Sequence, residues 1–331
     1  MNMIGNLFVF LHALYRLLYR VIYVNTVYYK KALYRTIAAV YQRKGQTPDP
    51  KYFKRIYYHG LLGSITNEWF TTLRGTAQSE QEARAGFYLG AATAVYDDLF
   101  DQLDFTMDET LEDLARGQYK YGTVTERLAK LFYDIILDNL SETHLFKTSL
   151  KKVGLLQEES KRQANEQLSE VELRRITYEK GGYSLALWRS ILSHSYQPGE
   201  AEAVYNLGRL IQLTDDVFDI RRDHLAKILT LPSAATDIRV IQTEYLRLVR
   251  ESFEEFQALD YPPKNFRRFW AQVMVILSRG MVCLDQMVRV QQAHGSTFQI
   301  DRYTRAELVC DMERPINLWR SFRYCLQWDY A

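Results

Sequence analysis

The stretch "LEDLARGQYKYGTVTERLAKLFYDIILDNL" (residues 111–140) indicates the fold class of this chain. Its apolar residues recur at intervals of three and four, the spacing that places them on one face of an α-helix. The same spacing continues on both sides, and no proline occurs between Lys51 and Gln197. Runs in which apolar and polar residues alternate, as in a strand, are nearly absent. The pattern predicts an all-α protein with long core helices.

Short polar or Gly/Pro-rich pieces such as "SYQPGE" (195–200) separate the predicted helices, and the overlapping "PGEAEA" (198–203) has the acidic first turn typical of a helix start. The chain contains no low-complexity linker and no repeat, so a single helical domain over residues 1–331 is expected. The other separating pieces are "GQTPDP" (45–50), "LPSAATD" (231–237), "DYPP" (260–263) and "AHGSTFQ" (293–299).

Charge and cysteine content exclude some classes of protein. The formal charge of +2 gives no bulk attraction to nucleic acid, so no nucleic-acid partner is expected. Cys283, Cys310 and Cys325 lack the spacing of a metal site and form no even set. They are expected to be reduced thiols in a cytoplasmic protein.

The N-terminal segment "LFVFLHALYRLLYRVIYV" (7–24) raises the question of a membrane span or a signal peptide. Arg16 and Arg20 interrupt it, leaving apolar runs shorter than the ~20 residues that cross a bilayer, and no small-residue cleavage site follows. Residues 1–57 carry ten Lys/Arg and a single acid, Asp49, which predicts basic amphipathic helices. Two interpretations stay open: a helix that packs on its own domain, or a peripheral contact with anionic lipid.

The stretch "AVYDDLFDQLD" (94–104) gathers four aspartates within eight positions, directly after a run of small apolar residues. If the helix continues through this stretch, Asp97 and Asp101 lie one turn apart on one face, with Asp98 beside them. Asp104 is expected at a solvated helix end. Taken alone, the whole cluster could be such an end.

A second acidic cluster lies in "LGRLIQLTDDVFDIRRD" (207–223), where Asp215, Asp219 and Asp223 fall at positions i, i+4 and i+8. Like charges at this spacing destabilise a helix, so surface decoration does not explain two such sets. A divalent cation reverses the sign of that cost. Mg²⁺ takes oxygen ligands and is commonly held by one or two carboxylates together with substrate phosphates.

These two clusters resemble the aspartate-rich motifs of class I isoprenoid synthases, the all-α family of trans-prenyltransferases, squalene and phytoene synthases and class I terpene synthases. "DDLFD" resembles the first motif, and 118 residues separate Asp97 from Asp215. "LGRLIQLTDDVFDIRRD" is similar to the second-motif helix of phytoene and squalene synthases, with Asp215 in place of Asn. It resembles equally the terpene synthase motif N-D-x-x-S-x-x-K-E, with Arg222-Asp223 as its last pair. The detailed resemblance covers roughly residues 85–225.

The resemblance implies a bundle of helices around a central apolar cavity, and several Mg²⁺ ions that bind a prenyl diphosphate. The residues implied to hold the metal, and to be catalytic, are Asp97, Asp98, Asp101, Asp215, Asp219 and Asp223. Lys180 in "YEKGGYSLALW" (178–188), where Gly-Gly would let the helix kink, is a candidate contact for the diphosphate. So are Arg222 and the pair Arg302-Tyr303. A solvated Lys180 and ordinary surface arginines remain the alternatives.

Departures from the family pattern favour one activity. After "DDLFD" the chain continues "QLDFTMDE" (102–109) without the Arg-Arg-Gly segment of chain-elongating prenyltransferases. "YEKGGYS" departs after its first Tyr from the Tyr-Cys-led motif of head-to-head synthases. A class I terpene synthase is therefore expected. Head-to-head condensation, a non-catalytic helical binding protein of the same fold, and a homodimer are left open.

Overall fold

A computed structural model describes residues 3–100, 122–165 and 167–330 of the chain. Every regular element in these ranges is helical and none is a strand, which confirms the predicted all-α class. The N-terminal helix consists of α1 (Met3–Arg16), a π-helical segment (Leu17–Val24) and α2 (Asn25–Tyr28). The remaining α-helices are α3 (Lys30–Gln42), α4 (Pro50–Arg74), α5 (Glu80–Phe100), α6 (Val124–Leu137), α7 (His144–Ser160), α8 (Arg162–Asn165), α9 (Glu170–Arg189), α10 (Glu200–Leu225), α11 (Leu231–Ala234), α12 (Ile238–Gln257), α13 (Pro263–His294), α14 (Arg305–Leu308) and α15 (Pro315–Gln327).

The chain divides into two units by its internal contacts. One, the acidic-motif-one unit, comprises residues 14–158 and 187–195. The other, the acidic-motif-two unit, comprises residues 1–13, 159–186 and 196–331. The organisation as a single domain stays a prediction.

The core of the acidic-motif-one unit is built on close packing of α4 against α5. A Cβ atom added at Gly63 of α4 would lie 2.3 Å from the Gly86 carbonyl oxygen of α5, and one added at Gly90 would lie 2.2 Å from the His59 carbonyl oxygen. Only glycine permits this backbone approach. Asp49 caps the start of α4 by accepting a hydrogen bond from the Lys51 amide, and α4 ends at Gly75 in a left-handed conformation (φ +78°).

A buried carboxylate fixes the start of α5 within the same unit. Arg74 donates two hydrogen bonds to Glu82, of 2.8 and 3.0 Å, and the Ser193 and Ser79 amides donate to the same carboxylate. Burial opposes ionisation of Glu82, but these hydrogen bonds outweigh it and hold its pKa well below the ordinary value. Glu82 is therefore ionised in the folded protein, and its hydrogen bonds stabilise the fold in that form.

In the acidic-motif-two unit, the long helix α13 runs through the core, where Phe269, Trp270 and Leu277 are fully buried. Helix α10, which carries the second acidic motif, begins at Glu200 after Gly199, as "PGEAEA" predicted. Tyr245 of α12 links α10 to α13: its hydroxyl lies 2.9 Å from the Thr214 hydroxyl and donates to the Leu277 carbonyl. These contacts hold α10 firmly in the core.

Candidate functional site

The second acidic motif lies within α10, from Asp215 to Asp223 in the last turn of the helix, which ends at Leu225. Asp215 is exposed, Asp219 is half-buried and Asp223 is buried. The line of carboxylates at i, i+4 and i+8 therefore runs from solvent into the protein along one helix. It is not a frayed or solvated helix end.

Asp216 belongs to the same cluster but was not among the residues expected to bind metal. Its side chain is buried; Oδ1 accepts a 2.9 Å hydrogen bond from Gln212 Nε2, and Oδ2 accepts one of 3.2 Å from the Thr177 hydroxyl. Asp216 directly follows Asp215 in the sequence, but it lies outside the i, i+4, i+8 spacing of the three aspartates that were expected to bind metal. Thr177 lies 39 residues away on α9, and no pattern within α10 indicates it.

The carboxyl groups of this cluster are difficult to ionise. Burial, and then the charge of Asp215, raise the pKa of Asp216 to about 7. The same two causes raise the pKa of Asp219 to about 6. Burial is also the main cause that raises the pKa of Asp223. Each added negative charge in this cluster is therefore costly unless a cation lies beside it.

Lys180 of α9 is the nearby cation on the neighbouring helix. Its positive charge lowers the pKa values of both Asp216 and Asp223, so its ammonium acts on the cluster. Helix α9 continues from Glu170 to Arg189, so Gly181 and Gly182 do not interrupt it. These glycines instead let α9 approach α10: a Cβ atom at Gly181 would lie 2.4 Å from the Gly208 carbonyl oxygen.

Arg222 also lies at the cluster, where its guanidinium contacts two of the carboxylates. Its Nη2 is 2.5 Å from Asp219 Oδ2, and its Nε is 3.6 Å from Asp223 Oδ1. The side chain is 71% exposed, so the guanidinium can move without disturbing the core. Arg222 therefore supplies a positive charge to the motif from a largely exposed side chain.

The pair Arg302-Tyr303 lies at the end of α10 rather than along the line of carboxylates. His224 Nε2 is 2.8 Å from Asp301 Oδ1, which brings the turn carrying the pair to the last turn of α10. Arg302 is exposed. Tyr303 is buried, and its hydroxyl accepts a hydrogen bond from the Gln299 amide of its own loop. The contacts of Tyr303 are those of a packing residue, whereas Arg302 is available to a ligand.

The first acidic motif lies in the other unit, at the end of α5. Asp98 Oδ1 accepts a 2.6 Å hydrogen bond from Arg55 Nη1, and Arg55 Nη2 lies 4.0 Å from Asp97 Oδ2. Arg55 of α4 was not expected from the sequence, because it lies 43 residues from Asp98 in a segment rich in basic residues. Asp101, the third residue of this motif, lies outside the described residues.

The donor chemistry of the α10 cluster fits a hard divalent cation. Its ligand atoms are all carboxylate oxygens, and the raised pKa values mark a place where positive charge is favourable. Across residues 3–100, 122–165 and 167–330, no three Asp, Glu, His or Cys side chains converge closely enough to hold a metal ion unaided. Such a cation would therefore need further oxygen ligands from a substrate or from water.

Comparison with known proteins adds no further assignment. The chain matches no family model, no curated protein and no solved structure.

Proposed function

We propose that this protein is a class I terpene synthase of the isoprenoid synthase fold, which ionises a prenyl diphosphate with Mg²⁺ and lets the allylic cation cyclise or eliminate a proton. The observation that carries the proposal is the α10 cluster, where burial and mutual repulsion raise the pKa values of Asp216, Asp219 and Asp223. Lys180 acts on the same cluster from α9.

The cluster costs stability in the absence of a ligand, which argues against a purely structural role. Because the pKa values of Asp216 and Asp219 are raised to about 7 and about 6, ionising these carboxyl groups costs more free energy in the folded than in the unfolded protein. Residues that burden the fold in this way are typical of functional sites. A bound cation would lower the cost by supplying the missing opposite charge.

Within this proposal each group of the cluster has a distinct task. When bound, Mg²⁺ supplies charge neutralisation for the departing diphosphate. Asp215, Asp219 and Asp223 would hold it through their carboxylate oxygens, and Gln212 keeps Asp216 oriented by a 2.9 Å hydrogen bond. The Lys180 ammonium would donate hydrogen bonds to diphosphate oxygens and stabilise the charge that develops on them.

The two surface arginines would respond to the substrate. Arg222 contacts Asp219 and Asp223, and its exposed side chain can turn from these carboxylates towards a diphosphate. Arg302 would add positive charge at the same end of α10. In the first acidic motif, Asp97 and Asp98 would hold Mg²⁺ through their carboxylates, in competition with the Arg55 guanidinium.

The proposal is tested by measuring diphosphate release from geranyl, farnesyl and geranylgeranyl diphosphates with and without Mg²⁺, with product masses determined in parallel. We expect release from at least one substrate only with Mg²⁺, and a product that contains one prenyl chain. A product of doubled chain length would instead support head-to-head condensation. No release from any of the three by folded protein would refute both activities and leave a binding protein.

Matched variants connect the activity to the cluster. Asp219→Asn and Asp97→Asn are each expected to abolish turnover while leaving the helical content unchanged. Asp260→Asn is the control, because Asp260 is exposed, follows α12 and belongs to neither acidic motif. Full activity of Asp219→Asn would contradict the role assigned to α10.

A further inference from the structure

The N-terminal helix presents a continuous apolar face to solvent. Ile4–Tyr28 is one helix of 25 residues, long and apolar enough to cross a membrane by length and composition, a test that signal sequences also pass. Only 11% of its most apolar window is buried. Within the acidic-motif-one unit we define the outer face by its exposed large residues, which are Tyr15, Leu18, Tyr19, Ile22, Tyr23, Val27 and Tyr28.

The opposite face of the same helix packs against the protein. Leu17, Val21 and Asn25 recur every four residues and are buried. Arg16 of this helix donates a 2.6 Å hydrogen bond to Glu68, whose carboxylate is almost entirely buried. The helix is therefore anchored along one side, and the outer face is what remains uncovered.

The composition of the outer face is that of a membrane interface more than that of a protein core. Tyr15, Tyr19 and Tyr23 stack at successive turns, with ring centroids 5.8 and 5.5 Å apart. Tyr28 is 68% exposed. Tyrosine has an apolar ring and a polar tip, and it is enriched at the level of lipid headgroups.

The N-terminal segment that carries this face is almost entirely positive in charge. Residues 1–57 contain ten Lys/Arg and one acid, Asp49. Lys30, Lys31 and Arg35 follow the outer face in the sequence and are exposed on α3. Each basic residue near an anionic membrane contributes about 1 kcal/mol of attraction. The surface is thus complementary in charge to an anionic bilayer.

We propose that the outer face docks this protein in the plane of an anionic lipid bilayer, with the tyrosines at headgroup level and Leu18 and Ile22 reaching the acyl chains. A membrane span is disfavoured because it would place Arg16 and Asn25 in hydrocarbon and break the Arg16–Glu68 ion pair. The inference does not rest on the enzymatic activity proposed above.

The test is sedimentation of the full chain with vesicles of phosphatidylcholine alone and with vesicles that also contain about one-third phosphatidylserine. We expect binding to the anionic vesicles that weakens with salt, and little binding to the neutral ones. Leu18→Ser combined with Ile22→Ser should reduce binding at least about tenfold, because both side chains lose their apolar contact with lipid. Lys31→Glu combined with Arg35→Glu should reduce it about as much.

Control variants distinguish the outer face from general surface properties. Val171→Ser with Val240→Ser removes two exposed apolar residues elsewhere, and Lys147→Glu with Lys264→Glu reverses two exposed charges elsewhere. Both should bind like the parent. Equal losses of binding in these controls would overturn the proposal, and so would equal binding to neutral vesicles. Vesicle-bound protein that alkaline carbonate does not extract would also overturn it, because that result indicates a membrane span. So would a lipid-free dimer that Leu18→Ser with Ile22→Ser converts to a monomer.

Discussion

Replacing the buried Asp216 by asparagine should stabilise the ligand-free protein at alkaline pH. Asparagine keeps the shape of the side chain, and it can accept from Gln212 Nε2 while donating to the Thr177 hydroxyl oxygen, the two groups that now contact Asp216. What the substitution removes is the negative charge. The hydrogen bonds of the cluster are otherwise preserved, so the change isolates the cost of ionisation.

The size of the effect follows from the pKa of Asp216, which burial raises from 3.8 to about 7. The folded state holds its proton more tightly than the unfolded state, so the stability of the parent falls as pH rises from 3.8 to about 7. Above that window the full cost is present, at most about 4 kcal/mol at 1.36 kcal/mol for each pH unit. Below it the cost vanishes.

The assay is urea unfolding of the parent and Asp216→Asn at pH 4.5 and pH 8, followed by circular dichroism without metal or substrate. The variant should exceed the parent in free energy of unfolding by a few kcal/mol at pH 8 and by only about 1 kcal/mol at pH 4.5, where little of the titration window above 3.8 has been crossed. Asp260→Asn, at an exposed position, should show no such pH dependence. A variant that is equally or less stable than the parent at pH 8 would refute the argument that the α10 carboxyls are held in an unfavourable charged state.

Three further perturbations have defined outcomes. Gly208→Ala should lower the free energy of unfolding by about 1–3 kcal/mol or more, because the added Cβ atom would overlap the Gly181 backbone. The control Gly122→Ala should be nearly neutral, and equal effects of the two variants in urea unfolding would contradict this packing. Arg55→Gln should lower the Mg²⁺ concentration for half-maximal turnover severalfold, because a competing positive charge is lost beside Asp98, and an unchanged requirement would contradict it. Glu82→Gln should cost about 3–5 kcal/mol at neutral pH by leaving Arg74 without its buried partner. Because the pKa of Glu82 is lowered on folding, this difference should diminish as pH falls below the ordinary range of a glutamate, and a constant difference would count against the assignment.

The all-helical class and the position of α10 followed from local patterns. Apolar spacing of three and four residues is set by the geometry of a single helix, and "PGEAEA" carries its own start signal, so neither needs knowledge of distant contacts. The start of α10 at Glu200 agrees with that signal. The spacing of Asp215, Asp219 and Asp223 on one helix was predictable for the same reason.

The partners of the acidic residues could not be predicted in this way. Asp216 is bound by Thr177, and Asp98 by Arg55, from helices 39 and 43 residues away. The Gly-Gly pair after Lys180 signalled a flexible helix, yet in the fold it serves close packing against Gly208. Likewise, the apolar N-terminal helix has two apolar faces, and only the fold shows that Leu17 and Val21 are buried while Tyr19 and Tyr23 are exposed.

The most direct test of the central claim, that the α10 carboxylates hold Mg²⁺ together with a diphosphate, is calorimetric titration with inorganic diphosphate in the presence and absence of Mg²⁺. The account predicts binding only with Mg²⁺, its loss in Asp219→Asn and Asp223→Asn, and its retention in Asp260→Asn. Diphosphate binding that is independent of Mg²⁺, or that survives loss of both Asp219 and Asp223, would contradict the account.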